Sequence, residues 1–256
     1  MKAVILAGGL GTRISEETSD KPKPMVLIGK YPILWHIMKL YEQAEITDFI
    51  ICCGYKKEVI KKFFLSHSIS ENIEEKYEST QLIVKFESNI WKVNLVDTGY
   101  ETMTGGRLKR VSNYVKEEDF FCFTYGDGVS DIDIKDKINF HRKHKKLATI
   151  TAVHPPSRFG ALKIDNNNVV NSFKEKDEDS NDWINGGFFV LSPKVIELIS
   201  DDMTIWEKQP VENLSKMGEL IAYKHSGFWQ PMDTLREKSK LENLWKKNIA
   251  PWKNWK

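Results

Sequence analysis

Only three cysteines occur, Cys52, Cys53 and Cys122, and all three lie within apolar runs. That is too few for a disulfide framework, and adjacent Cys52 and Cys53 would face opposite sides of a strand, so core thiols in a reducing cytoplasm are expected. No apolar stretch reaches the roughly 18 residues that a membrane span needs, and the N-terminal apolar run stops at glycines, so neither a signal peptide nor a transmembrane helix is expected. No charge of one sign dominates. The 38 Lys and Arg against 36 Asp and Glu leave a net charge of +2, which gives no basis for attraction to nucleic acid or to a membrane surface. Internal repeats, low-complexity segments and clear linkers are also missing, so a single domain over residues 1–256 is expected, long enough to bury a sizeable core. No convincing Ser-His-Asp or Cys-His arrangement is present, and nothing calls for a covalent intermediate.

What the chain does have is concentrated near its start. Val4, Ile5 and Leu6 form a short apolar run ending in small residues, the pattern of a buried strand entering a turn. Gly8, Gly9 and Gly11 clear side chains from that turn, so successive backbone N–H groups can approach a polyanion. Thr12 and Arg13 follow as a hydroxyl donor and a fixed cation. Lys23 lies between Pro22 and Pro24, whose rings restrict the backbone and aim the lysine. A glycine turn after a strand is common by itself; the combination points to a phosphate-rich ligand. The spacing is that of neither a P-loop nor a Gly-x-Gly-x-x-Gly fingerprint, since Thr12-Arg13 follows Gly11 and Ile14 stands three residues after it.

Further along, helical spacing of Ile33, Ile37 and Leu40 after Pro32, a buried run at 48–53 and an amphipathic pattern through Val59, Ile60, Phe63 and Phe64 continue a β-α-β-α order. Strands that apolar predict a parallel sheet covered on both faces, an α/β fold. Residues 66–91 read as a polar surface excursion whose only convincing strand is 81–86, followed by a short strand at 94–97. Gly105 and Gly106 sit where a loop meets the helix carrying Leu108, Val111 and Val115, either offering free N–H groups to a ligand or simply entering the helix. The strongest strand, 119–125, ends in Gly126-Asp127-Gly128, and ligands in open α/β sheets bind beyond strand carboxyl ends. Asp127 is there a metal ligand or a cap of the next turn.

A helix at 133–146 carries His141 and His144 among basic neighbours and reads as a solvated face. A buried strand at 147–154, a hairpin turning at 166–168, and Asn185-Gly186-Gly187 opening an apolar strand come next. Helices are expected near 193–199 and 204–217 and a strand at 219–224. Asp233 precedes a last helix, where it could equally be an N-cap. The tail, with Trp245, Trp252 and Trp255 among lysines, is expected to pack on the body or on a neighbouring subunit rather than on nucleic acid.

Residues 3–25, with Gly-Gly-x-Gly-Thr-Arg followed by Pro-Lys-Pro, resemble the signature of the nucleoside-diphosphate-sugar pyrophosphorylases, nucleotidyltransferases that join a nucleoside triphosphate to a sugar 1-phosphate. The resemblance runs over essentially the whole chain. Through residues 32–39, 49–56, 103–110, 158–162 and 229–234 it is similar to the branch that uses CTP and glucose 1-phosphate. It implies a Rossmann-like three-layer αβα mixed sheet with a small β elaboration, Mg²⁺ as cofactor and a homo-oligomer. It further implies that Leu6, Ala7, Gly8, Gly9, Gly11, Thr12, Arg13, Lys23, Thr104, Gly106, Arg107 and Gly126 meet the nucleotide, with Arg13 aiding departure of pyrophosphate and Lys23 bridging the reacting phosphates. Asp127 and Asp233 would hold Mg²⁺, and Gly160, Glu175, Lys176, Asn185 and Gly186 would meet the sugar phosphate, Lys176 with a catalytic role. Asp177 stands where that family has proline after Glu-Lys, and Ile14 where it has leucine.

Overall fold

The computed structural model describes residues 1–70, 79–155 and 183–255, and the backbone alone of 74–76, 161–164 and 170–174. Ten strands form the central sheet: β1 (Lys2–Leu6), β2 (Asp48–Cys53), β3 (Glu74–Lys76), β4 (Ser79–Phe86), β5 (Asn89–Asp97), β6 (Phe121–Tyr125), β7 (Ala148–Val153), β8 (Ile184–Asn185), β9 (Phe189–Leu191) and β10 (Leu220–His225). β6, β1, β2 and β5 lie side by side and parallel. β4 and β3 extend one edge antiparallel, and β9 joins β6 antiparallel on the other, followed by β7 and then β10, which is parallel to β7. The sheet is therefore mixed, not parallel throughout as the apolar strands alone predict: the antiparallel pairs lie towards its two edges, outside the parallel core. Strand order reverses between β1 and β6, which makes their carboxyl ends a topological switch point where ligands of open α/β sheets bind.

The sheet is buried on both faces, and the alternation of side chains sorts its residues into two cores. Ala3, Ile5, Phe49, Ile51, Cys53 and Cys122 face the layer built on α1 (Ile33–Glu42) and the C-terminal tail. Val4, Leu6, Ile50, Cys52, Phe121 and Phe123 face the other layer, with Leu108, Val111, Trp206 and Leu214. The expected three-layer αβα arrangement is thus present. Cys52 and Cys53 do point to opposite faces, and all three thiols are free and buried; burial and a neighbouring thiol push Cys52 upward, and burial drives Cys53 and Cys122 up to about 12.

Several expectations need correction. Residues 66–91 are not chiefly a surface excursion: β4 and the nine-residue β5 form a hairpin, and Trp91 is fully buried. The alternation of β4 is half polar, which masked it. The first of the two expected late helices is a 3₁₀ stretch, Pro193–Leu198, and the second is shorter than expected, Gln209–Lys216. The histidines of Ile134–His144 are not a solvated face. His141 is buried, and both His141 Nδ1 and His144 Nε2 contact the Thr149 hydroxyl on β7, at 2.8 and 2.7 Å. The flanking lysines and arginine hid that inward stripe. The expected hairpin is seen in its backbone, Ala161–Ile164 pairing antiparallel with Val170–Lys174.

Candidate active site

At the carboxyl end of β1 the chain leaves the sheet as the Gly8–Arg13 loop, which lines a cleft of about 760 Å³. Among the described residues, none accepts a hydrogen bond from the backbone N–H of Gly8, Gly9, Leu10, Gly11, Thr12 or Arg13, although the neighbouring Ala7 N–H and Ile14 N–H are paired. Only Gly8 is buried and Gly11 half-buried, so the other N–H groups are open to solvent as well as to a ligand, and a run of successive free N–H groups in a turn is an anion-binding concavity. Gly11 turns the loop at φ 66°, where a Cβ would also meet Thr18 Cγ2 at 3.0 Å. Thr18 holds the loop closed by donating to the carbonyls of Gly11 and Ile14.

Lys23 starts the short 3₁₀ turn Lys23–Met25, with Pro22 extended before it. Its ammonium is buried and donates to Asp127 Oδ2 at 2.6 Å and to Asp233 Oδ1 at 2.5 Å. Burial alone would lower the Lys23 pKa, but the two carboxylates outweigh it and hold the pKa above its ordinary value, so the charge is permanent. Arg13 reaches the other Asp233 oxygen, Oδ2, at 2.8 Å, and its side chain is 69% exposed. The two aspartates converge because Gly128–Ser130, just after Asp127, pairs antiparallel with Trp229–Pro231, just before Asp233. The Met232 N–H to Asp127 carbonyl bond continues the register. Asp233 is not the N-cap of the last helix, Leu235–Lys246. Thr234 is, in a capping box with Glu237, whose carboxylate also accepts from the Asp233 N–H at 2.7 Å. The Asp233 carboxylate is thereby left for Lys23 and Arg13. Among the described residues no group of three or more His, Cys, Asp or Glu side chains gathers as a metal site, so Asp127 and Asp233 are a pair of acids rather than part of a larger cluster.

The opposite wall is less available than the sequence suggested. Gly105 N–H and Gly106 N–H both donate to the Thr204 carbonyl, so these hydrogens are not free for a base. The helix Thr104–Arg110 begins against residues 202–204 so closely that a Cβ on Gly106 would lie 2.3 Å from the Asp202 carbonyl oxygen. Arg107 is buried, and its guanidinium donates to the carbonyls of Gly8, Cys53, Gly99 and Tyr100 and to Thr98 Oγ1. It is a clamp that fixes the back of the glycine loop against the ends of β2 and β5, not a free donor for cytosine. Thr104 Oγ1 donates to Glu207 Oε2 at 2.7 Å and accepts from Trp206 N–H at 2.9 Å.

Leu6, Ala7, Gly8, Gly9, Gly11, Thr12, Arg13, Lys23, Thr104, Arg107, Gly126 and Asp127 line one cleft. Asn185 is exposed beside it and donates through Nδ2 to the Tyr125 hydroxyl at 3.2 Å; Gly186 is buried, with its N–H on the Thr151 carbonyl. Gly160, Glu175 and Lys176, and Asp177 with them, lie outside the described residues. Sequence reasoning missed Tyr125, Glu207 and Glu237. Glu237 carries a legible signal, Thr234-x-x-Glu237 ahead of a helix. Glu207 carries none, because its partner Thr104 comes from a distant element.

The Nucleotidyl transferase family matches residues 2–225. The chain is 58% identical to glucose-1-phosphate cytidylyltransferase of Salmonella typhi and 40% identical to the probable glucose-1-phosphate cytidylyltransferase of Bacillus subtilis, each alignment covering all of both chains. Among solved structures, HddC from Yersinia pseudotuberculosis superposes with a TM-score of 0.68 at 26% identity, covering 95% of this chain and 99% of that one. With the glycine loop, the lysine and the two aspartates at the switch point of its sheet, this chain belongs to the nucleotidyl transferase family.

Proposed function

We propose that the chain transfers a cytidylyl group from CTP to α-D-glucose 1-phosphate, giving CDP-glucose and pyrophosphate. Relatives with those names across the full chain support the substrates. The observation that carries the chemistry is the row of N–H groups from Gly8 to Arg13, unpaired among the described residues, sharing one cleft with buried Lys23 and half-buried Asp127, while Asp233 bonds the same lysine. A sugar phosphate oxygen is already ionised at neutral pH, so in-line attack on the α-phosphorus needs no general base. The protein's contribution is positioning and charge neutralisation. The loop amides cradle the triphosphate, exposed Arg13 stands where departing pyrophosphate carries its charge, and Lys23 neutralises the reacting phosphates.

The donor set fits Mg²⁺, which takes one or two protein carboxylates and completes its octahedron with phosphate oxygens and water. Asp127 and Asp233 would hold it, since their Oδ2 and Oδ1 atoms already converge on one cation, the Lys23 ammonium. When bound, the metal supplies Lewis-acid stabilisation of phosphate charge. Glu175 and Lys176 remain the proposed sugar-phosphate contacts on resemblance. A homo-oligomer is part of the proposal, and exposed Leu65, Ile69 and Ile90 are surfaces that self-association would cover.

A pyrophosphate-release assay across four nucleoside triphosphates and several sugar 1-phosphates tests the reading. The highest kcat/KM is expected for CTP with glucose 1-phosphate. An equal or higher value for dTTP, or for another sugar, would replace that substrate in the assignment, and absence of pyrophosphate release with every pair would end it.

A further inference from the structure

Two segments that carry reacting groups are joined beside the cleft: the turn that leaves the glycine loop, and the first turn of the last helix, Leu235–Lys246. Each is compact. Ile14 N–H donates to the Gly11 carbonyl, and the Thr18 hydroxyl to the carbonyls of Gly11 and Ile14, so residues 11–18 move as one piece with Arg13. The Asp233 and Thr234 N–H groups both donate to Glu237 Oε2, and Lys238 N–H to the Thr234 carbonyl, so Asp233 moves with the helix. Two ion pairs link the pieces. Arg13 Nη1 donates to Asp233 Oδ2 at 2.8 Å, and Lys238 Nζ donates to Glu17 Oε1 at 2.5 Å, with the Lys238 and Glu17 side chains 26% and 23% exposed. The cation comes from the loop side in the first pair and from the helix side in the second.

We propose that Lys238 and Glu17 are a positioning pair, which holds Arg13 at the distance from Asp233 that the pyrophosphate end of the triphosphate requires. The proposal rests on the transferase reading and deepens it. The Arg13–Asp233 pair cannot hold that distance alone, because phosphate oxygens in the cleft compete with Asp233 for the guanidinium. It loosens when substrate is bound. Glu17 and Lys238 do not line the cleft, so no ligand there competes for either of them. The crossed polarity also sets register: sliding one segment along the other would bring Arg13 towards Lys238 and Glu17 towards Asp233, and like charges set together are costly. A pair this open to solvent adds little to stability; what it fixes is position. On its other side the loop exit is held by Tyr55, whose hydroxyl donates to the Thr18 carbonyl at 3.1 Å, and by Lys56, which donates to the Ser19 carbonyl. Those bonds tie it to the end of β2 rather than to Asp233.

The test follows pyrophosphorolysis of CDP-glucose by the full chain and by Lys238→Glu, Glu17→Lys and the two combined. Lys238→Glu sets a carboxylate against Glu17 and is expected to raise KM for pyrophosphate about tenfold while leaving KM for CDP-glucose within about twofold. Glu17→Lys should do the same. The combined variant restores the attraction but not the crossed polarity, and is expected to bring KM for pyrophosphate back to within about threefold of the parent. If Lys238→Glu does not accumulate folded, Lys238→Met replaces it, with a rise of about threefold confined to pyrophosphate expected from loss of the charge. An unchanged KM for pyrophosphate in the single variants, equal rises in both KM values as a purely structural role would give, or no recovery in the combined variant would overturn the proposal while leaving the transferase reading in place. A parent chain that neither forms CDP-glucose nor cleaves it with pyrophosphate would overturn the transferase reading and this one with it.

Discussion

At the scale of single residues, Lys23 carries the most. Its ammonium sits between two carboxylates, which against the lowering effect of burial hold its pKa above the ordinary value, so its removal leaves two acids facing each other without their cation. Lys23→Ala is expected to lower kcat by on the order of 10²–10³-fold; single-turnover measurements giving an unchanged chemical step and only a raised KM would reduce it to a binding residue. Asp127→Asn and Asp233→Asn are expected to raise the Mg²⁺ needed for half-maximal rate, read from a titration of rate against free Mg²⁺. Full rate at low Mg²⁺ in either variant would remove that residue from the metal. Arg107 differs in kind. Its donors are spent on the backbone of the glycine loop and its neighbours, so Arg107→Lys, which cannot span those carbonyls, should loosen the loop and weaken all nucleoside triphosphates alike rather than change the choice of base.

Elements act through their ends and their faces. The capping box of Leu235–Lys246 stabilises a helix and also ties down the Asp233 N–H. Glu237→Ala should therefore cost about 1 kcal/mol of stability, as lost caps do, and in addition lower kcat. A variant losing stability with unchanged kcat would show that the box does not position Asp233. The helix Ile134–His144 packs a basic seam on β7. Lys137 is buried with the Thr151 hydroxyl as its partner among the described residues, and burial lowers its pKa from 10.5 to about 7. His141 in the same seam, and His36 under the tail, are lowered by burial from 6.5 to about 4.

For these bases the folded pKa is below the unfolded one, so the unfolded chain binds more protons in between and stability rises with pH there. The histidine contribution is complete above pH 6.5 and is lost as pH falls toward 4; that of Lys137 is complete above 10.5 and lost toward 7. Denaturant unfolding should show stability falling by on the order of 1–3 kcal/mol per histidine across the acid window. Lys137→Met should flatten the rise between pH 7 and 10 while leaving the acid limb. An unchanged alkaline slope would mean that Lys137 does not titrate as its burial requires.

For the molecule as a whole, the C-terminal segment closes one layer. Trp252 is fully buried, stacks on Phe228 at 5.6 Å and donates to His36 Nδ1 at 3.4 Å, and Trp245 and Trp255 pack around the same histidine. Trp252→Ala should cost about 3–5 kcal/mol in denaturant unfolding, a loss that would not occur if the tail served only a neighbouring subunit. Much of this architecture follows from local sequence. The alternation of apolar runs and helical stripes announced the αβα sandwich, because burial on both faces leaves strands no polar side. The Gly8–Arg13 loop, Lys23 and Asp127 were legible because each is written in consecutive residues whose local backbone demands them. Contacts between distant segments are settled by folding alone. Asp233 meets Asp127 through the pairing of Gly128–Ser130 with Trp229–Pro231, and Arg107 turns inward to backbone carbonyls instead of outward to a base. Gly105 and Gly106 spend their N–H groups on Thr204, and the Thr104 hydroxyl donates to Glu207. A hydrogen-bond donor in a sequence has no assigned acceptor; folding assigns it, and so decides which donors remain for the substrate.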